Sequence, residues 1–228
     1  MQVLRSKGRI VRLTVRKSDM FLTDCEVLLD IETHLSFPNF LKVGPDVFIY
    51  PENGASGTLS CYKYGNTLEK CGVVLNQPVY DSTICLADGV YYLLCTEKTN
   101  PNGNILSVYG SSNPFSGYEK IQEIVFSDSI ARRAGNVFHW NGNLISPAQI
   151  CNKYYGEGLS FQQIAVKGGK LAFREIKRMY PKGGMLSPGL HTWNFLPVSK
   201  NMIVIDGYKF GSKLFHDFYF KIRGFKEM

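Results

Sequence analysis

Apolar residues fall into short alternating or continuous runs separated by turn-forming residues, and helical spacing is nearly absent. The runs are Ile10–Val15, Val47–Tyr50, Leu59–Tyr64, Ser82–Leu86, Val90–Cys95, Ile105–Tyr109, Asn143–Ile145, Ser160–Ala165, Met202–Ile205 and Phe215–Ile222. Between them stand PENGASG, GNTLEKCG, KTNPNGN, SSNPFSG, KGG and IDGYKFG, rich in the Asn-Gly and Asp-Gly pairs that close tight hairpins. The one candidate helix longer than two turns, Ala165–Met179, is interrupted by Gly168–Gly169, which argues against it. The pattern predicts an all-β chain of local antiparallel meanders with no linker to divide it.

A repeat refines this expectation. Segments starting near Ser36, Tyr80, Arg132 and Leu190 share one outline: a polar anchor, a short strand, a tight turn (GPD, ADG, WNGN, VSKN), a strand, a longer polar loop and a third strand. Starts at Pro38, Asp81, Arg133 and His191 lie 43, 52 and 58 positions apart, the spacing of propeller blades. The stretch before Leu35 supplies at least one more strand. The reading is a single five-bladed β-propeller over 1–228 with an incomplete first blade, in units of about 1–33, 34–78, 79–128, 129–186 and 187–228. An irregular β-sandwich is the competing architecture.

Composition narrows the setting. No run approaches the roughly eighteen apolar residues of a membrane helix, so no membrane span is expected. The N-terminus has no uninterrupted apolar segment of the secretory kind. Six cysteines without a C-x-x-C pair, four of them (Cys61, Cys71, Cys85, Cys95) in or beside apolar runs, suit buried thiols and a reducing, cytoplasmic compartment. The net charge of +7 is spread along the chain, and no nucleic-acid-binding motif accompanies it, so a solvated face is expected and nucleic acid is not.

In a propeller, equivalent points of each repeat meet around one axis, where ligands bind. Those points carry His34 and Glu32, Asp81, Arg132 and Arg133, and His191; the loops after second strands add Glu52 and the Gln149–Asn152 segment with Tyr154 and Tyr155. Carboxylates and arginines hydrogen-bond sugar hydroxyls in pairs, and aromatic faces stack on sugar C–H surfaces, so the set suits a polyol pocket. Each residue also has a structural reading: Asp81 as a turn cap, His34 and His191 as satisfied core histidines, Glu52 as a solvated turn residue, Asp206 as a hairpin residue only. Of Arg132 and Arg133, one is expected to face the channel and the other solvent.

FPNFLKVGPDVFIYPENGASGTLSCYKY, ISPAQICNKYYGEGLSFQQI and GLHTWN followed by VIDG resemble the glycoside hydrolase family 43-like propeller domains found in glycan-assembly proteins, among them the N-terminal domain of plant glucosamine inositolphosphorylceramide transferases. The similarity runs from about Thr33 to Gly207 and matches at His34, Pro38, Glu52, Asp81, Arg132, Gln149, Cys151, Tyr155 and His191. SIARRAGN stands where the family shows SARPAG, and a tryptophan-containing first-blade segment has no counterpart. The resemblance implies a glycan-processing protein whose partner is a carbohydrate or glycoconjugate. One reading is a glycosidase-like enzyme with Asp81 and Glu52 as catalytic carboxylates, and His34, Arg132, Arg133, Gln149, Tyr155 and His191 binding substrate. The other is a non-catalytic binding or assembly module working with a glycosyltransferase. Neither requires a cofactor, and no metal-ligand spacing appears, although Asp81 and Glu52 are compatible with a structural calcium.

Overall fold

The computed structural model describes residues 7–182, 189–195, 202–208 and 221–224. Seventeen strands run through these residues in chain order, with no α-helix among them. A two-stranded ribbon, β1 (Ile10–Arg16) and β2 (Phe21–Leu29), comes first. Three four-stranded sheets follow. They are β3 (Ser36–Val43), β4 (Asp46–Glu52), β5 (Leu59–Tyr64) and β6 (Leu68–Leu75); then β7 (Val79–Ala87), β8 (Val90–Glu97), β9 (Ile105–Ser111) and β10 (Glu119–Val125); then β11 (Phe138–Trp140), β12 (Asn143–Ile150), β13 (Gly158–Lys167) and β14 (Lys170–Met179). A three-stranded sheet ends the series: β15 (Gly189–Phe195), β16 (Met202–Tyr208) and β17 (Lys221–Gly224). Every sheet is an antiparallel meander in sequence order. The turn expected at 198–201 and most of the strand expected at Phe215–Ile222 lie outside the described residues.

The turn chemistry explains the hairpins. Asp88-Gly89, Asn141-Gly142 and Gly168-Gly169 each place two successive residues at positive φ, the geometry whose twist matches a right-twisted antiparallel pair. Gly168 and Gly169 thereby convert the one helix-like stretch into the tight β13–β14 hairpin.

Sheets stack face to face, and the burial pattern follows. On β8, Leu93 and Cys95 point into the core shared with β3–β6, while Tyr92 and Leu94 point into the core shared with β11–β14. A strand buried on both faces reads as a continuous apolar run rather than an alternating one, which is why YYLLC shows no period of two. A third core joins Ala134, Ile145, Leu159 and Phe161 to Leu190, Trp193 and Ile203, and a fourth packs Ile10 and Leu28 of the ribbon on Tyr62 and Leu68. All six cysteines are free thiols; Cys61, Cys85 and Cys95 are buried, whereas Cys71, expected inside, is exposed on β6.

The sheets meet through β3 and β4 on β7 and through β12 and β13 on β15. β3 packs on β7, Ala131 N–H donates to Gly103 O at 3.3 Å, and Trp193 N–H donates to Ala134 O at 2.7 Å. At that last junction Gly135 has φ +140, and a Cβ there would lie 2.1 Å from Trp193 O. Gly135→Ala is expected to lose about 1–3 kcal/mol or more, seen as a lower urea midpoint with an unchanged slope.

Three first strands carry a bulge at the same place. Register slips between Ser36 and Asn39 in β3, between Tyr80 and Thr83 in β7, and between Leu190 and Thr192 in β15. The register makes Phe37, rather than Pro38, the counterpart of Asp81, and both residues have positive φ, +40 and +44. Bulges re-aim side chains and recur beside functional sites; here they turn Asp81 and His191 out of the ordinary strand alternation.

Candidate active site at the sheet junction

Glu52 closes β4, and its Oε1 accepts from Ser36 Oγ at 3.1 Å. Its Oε2 accepts the backbone N–H of Asp81 at 2.8 Å. The left-handed conformation of Asp81, which aspartate tolerates better than most residues, aims that N–H at Glu52. The Asp81 carboxylate turns the other way. Its Oδ2 accepts from Arg132 Nε and from Gln149 Nε2, the latter at 2.8 Å.

Arg132 lies on an extended segment that pairs with β12: Gln149 N–H donates to Arg132 O at 2.8 Å and Ala134 N–H to Pro147 O at 3.0 Å. Its guanidinium bonds Asp81, donates to Asn102 Oδ1 at 2.9 Å and lies 3.7 Å from Glu52 Oε2. It also sits over two rings, 5.8 Å from the Tyr80 centroid and 5.0 Å from that of Tyr155, within the range of cation–π attraction. At an effective dielectric near 20, opposite charges about 4 Å apart attract by about 4 kcal/mol. That offsets much of the several kcal/mol per ion that burial costs, and explains why the carboxylates are tolerated here.

Tyr155 belongs to the loop between β12 and β13, whose ends are drawn together by Glu157 N–H donating to Ile150 O at 2.9 Å. Leu190 N–H donates to Gly156 O at 3.0 Å, which sets the β15 bulge beside that loop. The Tyr155 hydroxyl then meets His191 Nε2 in a hydrogen bond, and His191 Nδ1 lies 3.2 Å from Asp206 Oδ2 on β16. Thr192 Oγ1 donates to Asp206 Oδ1 at 2.5 Å.

Titration follows from this packing. Burial pushes Glu52 up to about 7, reinforced by the charge of Asp81 and partly offset by Arg132 and the Asp81 N–H. Burial pulls Arg132 down, but Asp81 outweighs it and the guanidinium is held more firmly protonated than usual. His191 is pulled down by burial and lifted further by Asp206, for a net rise; Asp206 is correspondingly held below its ordinary range. Burial also raises the Tyr155 phenol, keeping its proton on.

Six of the residues singled out from sequence thus meet: Glu52, Asp81, Arg132, Gln149, Tyr155 and His191. Of the eight residues given a catalytic or substrate-binding role, two do not join them. His34 accepts the Gly8 N–H at Nδ1, 2.9 Å away, and anchors the segment entering β1. Arg133 is fully buried inside the third four-stranded sheet, bonded to Ala131 O, Ile130 O, Ser146 Oγ and Gln162 Oε1. Adjacent residues in paired backbone project to opposite sides, so with Arg132 in the site Arg133 turns into the sheet interior, not to solvent as expected from the sequence. Asp81 and Glu52 stand side by side, with the Asp81 side chain only 3% exposed, and Arg132 occupies the cation position between them. Among the described residues no group of three or more His, Cys, Asp or Glu side chains is placed to hold a metal ion. Asp206, a hairpin residue by its sequence context, and Asn102, in the KTNPNGN turn, also belong to the site. The pairing of Thr192 with Asp206 across β15–β16 is what brings Asp206 to His191, and that register could not be read without the structure.

Residues 6–196 match the family described as glucosamine inositolphosphorylceramide transferase 1, N-terminal. The chain belongs to this family. It is 29% identical over 181 residues to glucosamine inositolphosphorylceramide transferase 1 of Arabidopsis thaliana, a match covering 74% of the chain and 23% of the relative. The Oryza sativa subsp. japonica protein of the same name is 27% identical over 182 residues, covering 74% and 24%. The chain therefore spans about a quarter of the length of these relatives. In fold it is similar to glycoside hydrolase propellers. An exo-beta-1,3-galactanase from Phanerochaete chrysosporium, solved with beta-1,3-galactotriose, superposes with a TM-score of 0.58 at 9% identity, covering 90% of this chain and 49% of that one. A family 117 glycoside hydrolase from Zobellia galactanivorans gives 0.54 at 12% identity, covering 95% and 75%. The all-β propeller fold and a glycan-related family are thus both established for the chain.

Proposed function

We propose that this chain is a glycan-processing domain, a five-bladed propeller with an incomplete first blade, and that the site around Glu52, Asp81 and Arg132 binds a carbohydrate or glycoconjugate and cleaves a glycosidic bond. One observation carries the reading: Glu52 is held buried against Asp81 by the Asp81 N–H and beside Arg132. With its carboxyl pushed up to about 7 by burial and by Asp81, a substantial fraction holds a proton for a leaving oxygen at neutral pH. In this reading Asp81 and Arg132 are positioning groups. Asp81 fixes Glu52 through its N–H and raises its affinity for a proton by its charge, while Arg132 limits that rise. The exposed part of Tyr155 offers a face for a sugar ring.

Glu52→Gln keeps an acceptor for the Asp81 N–H but cannot donate a carboxyl proton. On a panel of aryl glycosides and galacto-oligosaccharides, the variant is expected to lose about 10²–10⁴-fold in turnover with its circular dichroism unchanged. Wild-type rates in Glu52→Gln would remove Glu52 from the chemistry.

A second reading has one observation in its favour. Glu52 and Asp81 stand side by side and share Arg132, whereas hydrolytic carboxylates face each other across about 5–9 Å. Under this reading the domain binds a glycan without cleaving it and serves a glycosyltransferase. Calorimetric binding of an oligosaccharide by the wild-type chain, with no product after long incubation, would select it. The buried thiols Cys61, Cys85 and Cys95 support a cytoplasmic setting for either role.

A further inference from the structure

Beyond the carboxylates, the site contains a second hydrogen-bonded chain: Thr192 Oγ1 to Asp206 Oδ1 at 2.5 Å, Asp206 Oδ2 to His191 Nδ1 at 3.2 Å, and His191 Nε2 to the Tyr155 hydroxyl. Its inner members sit on paired strands and its outer member on the loop that also faces Arg132. The Tyr155 and His191 rings lie 5.1 Å apart at an interplanar angle of 58°. The inner end is shielded: the Asp206 side chain is 19% exposed and that of His191 27% exposed. Tyr155, at 37%, is the accessible end.

We propose that Tyr155, His191 and Asp206 form a proton relay, with Tyr155 as a second catalytic group that takes a proton from an attacking water while Glu52 gives one to the leaving oxygen. The inference rests on the glycoside-cleaving reading of the site. A carboxylate at Asp206 accepts from His191 Nδ1–H, which leaves Nε2 as the acceptor for the Tyr155 O–H. When water attacks the anomeric carbon, its proton passes to the Tyr155 oxygen and the Tyr155 proton passes to Nε2. The glycosidic C–O bond breaks, and its oxygen leaves with the Glu52 proton. One proton is gained by His191 and one lost by Glu52; exchange with solvent restores both. Asp206 stabilises the imidazolium formed, the task a buried aspartate performs for histidine in hydrolytic triads. His191 and Asp206 are positioning residues here.

The groups facing His191 are Asp206 from β16, Tyr155 from the β12–β13 loop, Asp81 from β7 and Arg132 from the segment before β11. The carboxylates outweigh burial and Arg132, so the imidazole titrates above its ordinary value. Activity therefore needs His191 neutral and Glu52 protonated, and kcat/KM follows a bell whose acid limb is the titration of His191 and whose alkaline limb is that of Glu52.

The decisive variant is Asp206→Asn. Thr192 Oγ1 keeps the amide oxygen at its own side, so the amide NH₂ faces Nδ1. Nε2 is then forced to carry the proton, and it donates to Tyr155 instead of accepting. Long-range ¹H–¹⁵N spectra at alkaline pH, with His191→Gln for assignment, should show Nδ1 protonated in the wild type and Nε2 protonated in Asp206→Asn. Tyr155→Phe keeps the ring between Arg132 and His191. Both variants should lose about 10²-fold or more in kcat, and the acid limb of the bell should vanish in Tyr155→Phe and move to lower pH in Asp206→Asn. A wild-type His191 protonated at Nε2, or an Asp206→Asn variant with unchanged tautomer and pH profile, overturns the relay. Full activity in Glu52→Gln would instead overturn the cleavage reading, whatever the spectra show.

Discussion

Arg133→Ala is expected to destabilise the chain by about 3–5 kcal/mol in urea unfolding. The guanidinium is fully buried and its hydrogen-bond partners are neutral: Nε donates to Ala131 O at 2.8 Å, Nη2 to Ile130 O at 2.9 Å, and Nη1 to Ser146 Oγ and Gln162 Oε1, both at 3.0 Å. It also lies 5.8 Å from the Phe173 ring centroid. Truncation leaves a large cavity and strips donors from carbonyls that water cannot easily reach; each such acceptor costs about 1–3 kcal/mol. The backbone around Ala131 and Arg133 also carries Arg132, and Gln149 Nε2 donates to Arg133 O at 3.2 Å, so the loss would spread to the site. A stability change below about 1 kcal/mol, with glycan affinity lost, would mean that Arg133 binds ligand after all.

Arg132→Met should cost a similar about 3–5 kcal/mol at pH 8, because it leaves two neighbouring buried carboxylates without their shared cation. The pH dependence gives this prediction its signature. Glu52 already titrates above its unfolded value in the folded chain, pushed up by burial and by Asp81. Removing Arg132 raises it further. An acid whose folded pKa is raised binds more protons in the folded state, so stability is full below the unfolded pKa and falls as pH rises through the folded one. Arg132→Met should therefore be markedly less defective at pH 5 than at pH 8, and adding Glu52→Gln should recover much of the loss at pH 8 alone. Equal losses at both pH values would show that packing over Tyr80 and Tyr155, rather than charge, is what Arg132 supplies.

The two variants separate adjacent arginines that a single substitution scan would treat alike. One holds a sheet together from inside; the other neutralises a site. Their chain neighbourhood is the same, and so is their chemistry. What differs is the face of an extended segment on which each side chain falls.

The sequence by itself determined a good deal here. Asp-Gly, Asn-Gly and Gly-Gly pairs at hairpin positions, and short apolar runs too brief for helices, fix an all-β meander, since local backbone preferences suffice for local pairing. PAQ-x-C and G-L-H-T carry the resemblance to the family that residues 6–196 match. The same sequence left Asp206 in a hairpin, placed His34 in the site, paired Asp81 with Pro38 and could not say which arginine turned inward. Those points depend on register and bulges, where a shift of one residue exchanges the two faces of a strand. They also depend on contacts between residues far apart in the chain, such as Asp81 with Arg132, 51 positions away, and Tyr155 with His191, 36 positions away. Only the stacking of sheets sets such contacts, because the packing of one sheet's face against the next decides which bulged side chain meets which.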